Sequence, residues 1–262
     1  MNWWQALIMG LVQGLTEFLP VSSSGHLVIF RELLGVEAPS DLTFEITVHA
    51  ATALATIVVF RKRILELLQG LFKFKYNEET DYIAKLVVSM IPVAIVGFFF
   101  KDKVEELFSS LLVVGCALLV TALLLYFSDK AKARKQDREV TFGQALIMGL
   151  GQAVAVIPGL SRSGTTISAG LLSGASRNKV AEFSFLMVLV PILGEAFLDL
   201  VGGDMAASSI SAAPLLLGFA AAFISGLFAC KAMVALVKKA GLRWFALYCA
   251  VVGAIVIICS LV

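Results

Sequence analysis

The sequence predicts an all-α polytopic membrane protein built as an inverted repeat, each half a re-entrant helical hairpin plus three transmembrane helices. Hydrophobic residues make up 59% of the 262 residues and charged residues only 15%, at a mean hydropathy of +0.93, whereas roughly a quarter of a soluble domain is charged. Residues 5–26 (QALIMGLVQGLTEFLPVSSSGH) reappear 139 positions later as QALIMGLGQAVAVIPGLSRSGT, with 11 of 22 positions identical. The basic residues are also distributed unevenly between the two sides that this architecture creates.

The elements follow in order. Residues 3–35 form the first hairpin: an apolar helix of about four turns, broken at Pro20, then a Ser/Gly stretch and a second short apolar run. Residues 44–60, 84–100 and 111–127 are apolar runs long enough to cross a bilayer and complete a first repeat at 1–128. Residues 61–76 alternate basic and apolar side chains, as suits a helix lying in the cytoplasmic interface. The charged stretch at 129–142 links the repeats. The second repeat, 143–262, has its hairpin at 143–175, broken at Pro158-Gly159, and spans at 182–201, 213–231 and 244–262. A hairpin plus three spans is an odd number of crossings, so the second copy must lie upside down relative to the first.

Charge supports this topology. Loops on the side away from the N-terminus carry 17 Lys and Arg, and the N-terminal side carries only Arg31, Lys101 and Lys103. Basic loops resist translocation, which places the richer side in the cytoplasm and both termini outside. The net charge of +2 is spread over loops beside the membrane, with no motif for a nucleic-acid partner. Cys116, Cys230, Cys249 and Cys259 lie in apolar runs without a Cys-x-x-Cys pair and read as packing residues.

Polar residues inside such a chain stand out. Gln13 and Glu17 are four apart, on one helical face, and an intramembrane acid suggests function because burying its charge is costly. After the Pro20 break, Ser22, Ser23, Ser24 and Gly25 can cap the next helix, whose N-terminal amides attract an anion, and His26 sits in its first turn. In the second copy Ser161, Arg162, Ser163, Gly164, Thr165 and Thr166 surround one guanidinium with hydroxyls and a glycine, a cradle for phosphate. The same Arg162 could instead simply neutralise Glu17. Phosphate binding explains the flanking hydroxyls better. His49, alone in an apolar run, reads as packing, and Glu45 could border the site. Glu195 and Asp199 share a helical face and receive no role.

The run from Gln13 to His26 (QGLTEFLPVSSSGH), with Pro158 to Thr166 (PGLSRSGTT), closely resembles the undecaprenyl-diphosphatase family of bacitracin-resistance proteins. The resemblance covers nearly the whole chain, and Gln13 takes the first place of the family's Glu/Gln-x-x-x-Glu motif, which leaves one acid fewer. It implies removal of the terminal phosphate from a polyisoprenyl diphosphate at the outer face of a bacterial inner membrane. It further implies Glu17, Ser23, His26 and Arg162 as the catalytic group, assisted by Ser161 and Thr166. A divalent cation, magnesium or calcium, would bridge Glu17 and the diphosphate. Phosphate contacts are expected from Gln13, Ser22, Ser24, Gly25, Ser161, Ser163, Gly164, Thr165 and Thr166. The attacking group is Ser23 with His26 as base, His26 itself, or water, with Ser23 favoured. An inverted repeat with broken helices also describes transporters, so a lipid-carrier flippase or anion carrier is the alternative. The membrane is the surrounding partner, with a homodimer as a possible assembly.

Overall fold

The computed structural model describes residues 1–36, 43–131, 138–202, 210–239 and 241–261, and every regular element among them is helical. The first half contains α1 (Trp3–Phe18), α2 (Ser23–Leu33), α3 (Thr43–Leu71), α4 (Glu78–Phe99), α5 (Lys101–Leu107) and α6 (Leu111–Lys130). The second contains α7 (Phe142–Val154), α8 (Arg162–Leu172), α9 (Arg177–Gly202), α10 (Ala212–Lys239) and α11 (Arg243–Leu261). Five of these, α3, α4, α6, α10 and α11, are long and apolar enough to cross a membrane. The expected span at 182–201 falls within α9, whose side chains beyond Gly194, including Glu195 and Asp199, lie outside the described residues. So do residues 132–137 of the expected linker.

Two features depart from the sequence reading. The interfacial helix expected at 61–76 is not separate, because α3 runs unbroken to Leu71. No Pro interrupts it after Phe60, and Phe60, Leu67 and Gly70 continue one buried stripe, with Gly70 pressed against Glu79 of α4. The short helix α5 was also not anticipated.

Two hydrogen bonds that close the first hairpin recur at the same offset in the second. The Asn2 backbone N–H donates to Gln5 Oε1 at 2.7 Å and Gln5 Nε2 to the Leu34 carbonyl at 3.1 Å. At the same offset, the Thr141 N–H donates to Gln144 Oε1 at 3.0 Å and Gln144 Nε2 to the Ser173 carbonyl at 3.2 Å. Each glutamine thus ties the start of its hairpin to the end. Each hairpin closes on a left-handed glycine, Gly35 at φ 58° and Gly174 at φ 83°, a conformation that costs glycine nothing. The packing is reciprocal too: α1 lies along α10 as α7 lies along α4, α3 contacts α10 as α4 contacts α9, and α6 pairs with α11. Glycine lets these backbones approach. A Cβ on Gly10 would meet the Gly218 carbonyl oxygen at 2.4 Å, and one on Gly149 the Ser89 carbonyl oxygen at 2.3 Å.

This arrangement brings the two hairpin tips into contact. A Cβ on Gly25 would fall 2.9 Å from Gly159 Cα, one on Gly164 would fall 3.1 Å from Pro20 Cβ, and Ser163 Oγ donates to the Leu19 carbonyl at 3.2 Å. Each helix-start glycine therefore nests against the break in the other copy. Gly25→Ala forces backbone apart and is expected to lower the thermal unfolding midpoint in detergent by about 4 °C. Gly143→Ala, with nothing within 4 Å, should leave the midpoint unchanged or raise it, and a thermal-shift comparison of the two checks the interlock.

Candidate active site

The Pro20 break ends α1 just after Glu17 and restarts the chain as α2 at Ser23, so the end of one helix faces the start of the next. Glu17 Oε2 accepts a hydrogen bond from Ser23 Oγ at 2.6 Å and one from Gln13 Nε2 at 2.8 Å. The i, i+4 spacing of Gln13 and Glu17 gives the second bond, as expected for one helical face. Ser22 caps α2 from a left-handed backbone (φ 70°), its Oγ accepting the Gly25 N–H at 3.2 Å. In the other copy Ser161 makes the corresponding cap from an extended backbone (φ -66°), its Oγ accepting the Gly164 N–H at 3.0 Å.

Because the tips interlock, the first residue of α8 comes to the first hairpin. Arg162 Nη2 lies 3.7 Å from Glu17 Oε1. A fourth group arrives from α3, with His49 Nε2 3.8 Å from Glu17 Oε2 while its Nδ1 sits 2.8 Å from the Glu45 carbonyl. Glu17 is almost wholly enclosed, whereas Arg162 retains about a quarter of its side-chain exposure. The two residues line a cleft together with the polar side chains of Thr52, Thr56 and Ser163 and the apolar side chains of Phe185, Val188, Leu189 and Ile192. α8 begins at this cleft with Arg162 and Ser163, and Ser23 at the start of α2 reaches Glu17 through its hydroxyl; the first amides of each helix have no intrahelical acceptor.

Not every predicted site residue points into this cleft. Ser24 Oγ lies 3.4 Å from Ser22 Oγ, beside its cap, whereas Ser163, which lines the cleft, also lies 3.4 Å from Ser161 Oγ. Gly25 and Gly164 serve the tip contact. Thr166 turns away, within 2.6 Å of Ser184 Oγ, and also donates to the Arg162 carbonyl at 2.8 Å. The Thr165 hydroxyl is buried and finds no partner among the described residues. His26 is near Ser23 in sequence but faces elsewhere: Nδ1 lies 2.7 Å from the Ser22 carbonyl and Nε2 2.7 Å from the Tyr248 hydroxyl of α11. With Nδ1 on a carbonyl, the imidazole hydrogen is there, so Nε2 accepts from Tyr248. The nearest base to the Ser23 hydroxyl is Glu17, not His26. Glu45 borders the site through its backbone and pairs with Arg31 at 3.3 Å.

Sequence reasoning missed His49 and Tyr248. A signal for His49 existed. At the 139-residue offset Glu17 corresponds to Val156 and His49 to Val188, so the acid and the imidazole are replaced by valine as a pair.

Among the described residues no three His, Cys, Asp or Glu side chains cluster. Glu17 is the one carboxylate, but the buried Gln13 Oε1 has no partner among the described residues and is a hard oxygen donor. Magnesium is often bound by one or two carboxylates with substrate phosphates supplying further ligands, so the donor set fits a cation completed by substrate.

Residues 6–255 match the protein family described as bacitracin resistance protein BacA. The chain is 55% identical to a protein of Parabacteroides distasonis named undecaprenyl-diphosphatase, over 100% of this chain and 99% of the relative. A protein of the same name from Bacteroides thetaiotaomicron is 52% identical over 100% of both, and one from Carboxydothermus hydrogenoformans is 38% identical over 98% and 97%. With hairpin tips, helix capping and full-length similarity all in agreement, the chain belongs to the BacA family of bacitracin resistance proteins.

Proposed function

We propose that this protein is a membrane-embedded phosphatase that converts undecaprenyl diphosphate to undecaprenyl phosphate and inorganic phosphate, returning the lipid carrier to cell-wall synthesis. One observation carries the reading: the Ser23 hydroxyl rests on the Glu17 carboxylate of its own hairpin while Arg162 of the other hairpin stands across from it.

Phosphoryl transfer depends mainly on positioning and charge neutralisation. Arg162 and the amides at the starts of α2 and α8 hold the terminal phosphoryl group. Ser23 Oγ attacks phosphorus, its proton passing to Glu17 Oε2, and undecaprenyl phosphate leaves. Water then attacks the phosphoserine and releases inorganic phosphate. His26, kept in one tautomer by the Ser22 carbonyl and Tyr248, orients the start of α2. A divalent cation held by Glu17 and Gln13 would neutralise charge on the diphosphate. The apolar wall of Phe185, Val188, Leu189 and Ile192 accommodates the first isoprene units.

The reciprocal packing supports an inverted arrangement in which repeats 1–128 and 143–262, joined through 129–142, cross the bilayer in opposite senses. In this reading the protein lies in the bacterial inner membrane with both termini outside, which the 17-to-3 distribution of basic residues favours, and the cleft opens to the outer face.

The test is phosphate release from a short-chain prenyl diphosphate by purified protein in detergent. Turnover that Arg162→Ala removes is the expected result. A flippase or anion carrier without hydrolytic activity would release none, and that result would remove the phosphatase reading.

A further inference from the structure

Resting on the phosphatase reading, we infer that His49 is a positioning residue: it holds Glu17 from the side opposite Arg162 and so keeps the guanidinium available to phosphate. An ionised carboxylate in an apolar hairpin seeks the strongest donor within reach. Arginine and carboxylate normally close to a bidentate pair at about 2.8 Å, yet here they stop at 3.7 Å with one contact. Glu17 Oε2 is meanwhile occupied by Gln13 and Ser23 and approached by His49 Nε2 at 3.8 Å. The His49 ring cannot swing freely, because its Nδ1 is fixed on the Glu45 carbonyl one helical turn earlier. Arg162 thus shares a carboxylate that others already hold. Removing the imidazole leaves that carboxylate short of one partner in a low-dielectric site, and Arg162 closes on it at the expense of phosphate.

The second copy supports this assignment. Where Val156 replaces the acid, Val188 replaces the imidazole, as expected if His49 serves Glu17 rather than general packing. Its role acts through Glu17, so its effect must vanish when Glu17 is uncharged.

The experiment is isothermal titration of inorganic phosphate into the full chain in detergent, for the wild type, H49L, H49Q, E17Q, E17Q/H49L and R162A. The inference expects H49L to weaken phosphate binding about tenfold. H49Q, whose amide can reach the Nε2 position, stays within about threefold of the wild type, and H49L adds no loss in the E17Q background. If H49L does not fold, H49N, whose shorter amide falls short of Glu17, replaces it with the same expected loss. Wild-type phosphate affinity in H49L or H49N, an equal loss with and without the Glu17 charge, or no rescue by H49Q overturns the inference. Undiminished binding by R162A would instead overturn the phosphate site itself, a separate failure.

Discussion

Arg162→Ala is expected to lower phosphate release from an isoprenyl diphosphate at least about a hundredfold, because removing one preorganised donor to transition-state charge commonly costs that much. Arg162 is the guanidinium that the hairpin contact delivers to Glu17, and a point charge cannot reproduce its fork. Arg162→Lys should therefore recover only part of the loss. Steady-state turnover at saturating substrate checks both variants. Activity of the alanine variant within about threefold of the wild type would show that phosphate is held elsewhere.

Ser23→Ala is expected to be at least as damaging, about a thousandfold or more, since it removes the attacking oxygen and leaves only binding. Glu17→Gln preserves size but removes the acceptor for the Ser23 proton, 2.6 Å away, and should cost about a hundredfold. The pair is informative together. If water attacked directly with Glu17 as its base, Ser23→Ala would retain substantial turnover while Glu17→Gln would not. Attack by His26 would likewise spare Ser23→Ala but would be abolished in His26→Ala, and it is contrary to a ring whose two nitrogens already face the Ser22 carbonyl and Tyr248. Rapid-quench measurement of phosphate release by each variant separates the three routes.

How much of this was legible beforehand follows the range of each interaction. The repeat could be read because its signal is identity at a fixed offset, and the breaks at Pro20 and Pro158-Gly159 because proline acts on its own backbone. The meeting of Glu17 with Arg162 was legible from matched positions in two copies that had to face each other. His49 was not, since a single imidazole in an apolar run resembles packing until α3 is placed beside α1. Tyr248 was further out of reach, its contact with His26 joining residues 222 positions apart. Thr166 looked like a phosphate ligand from its place beside Ser-Arg-Ser, yet it lies one turn into α8 and faces Ser184. The continuity of α3 beyond Phe60 was hidden by its basic residues, which mark an interface in sequence without stopping a helix.

Two broken hairpins, one from each repeat, are proposed to form a single phosphate-binding centre at their interlocked tips. A structure of the protein with a non-hydrolysable isoprenyl diphosphonate bound tests it directly. The terminal phosphorus is expected between the Arg162 guanidinium and Ser23 Oγ, with the chain leaving along Phe185 and Ile192. A head group bound away from the hairpin tips, out of reach of Arg162 and Ser23, would contradict it.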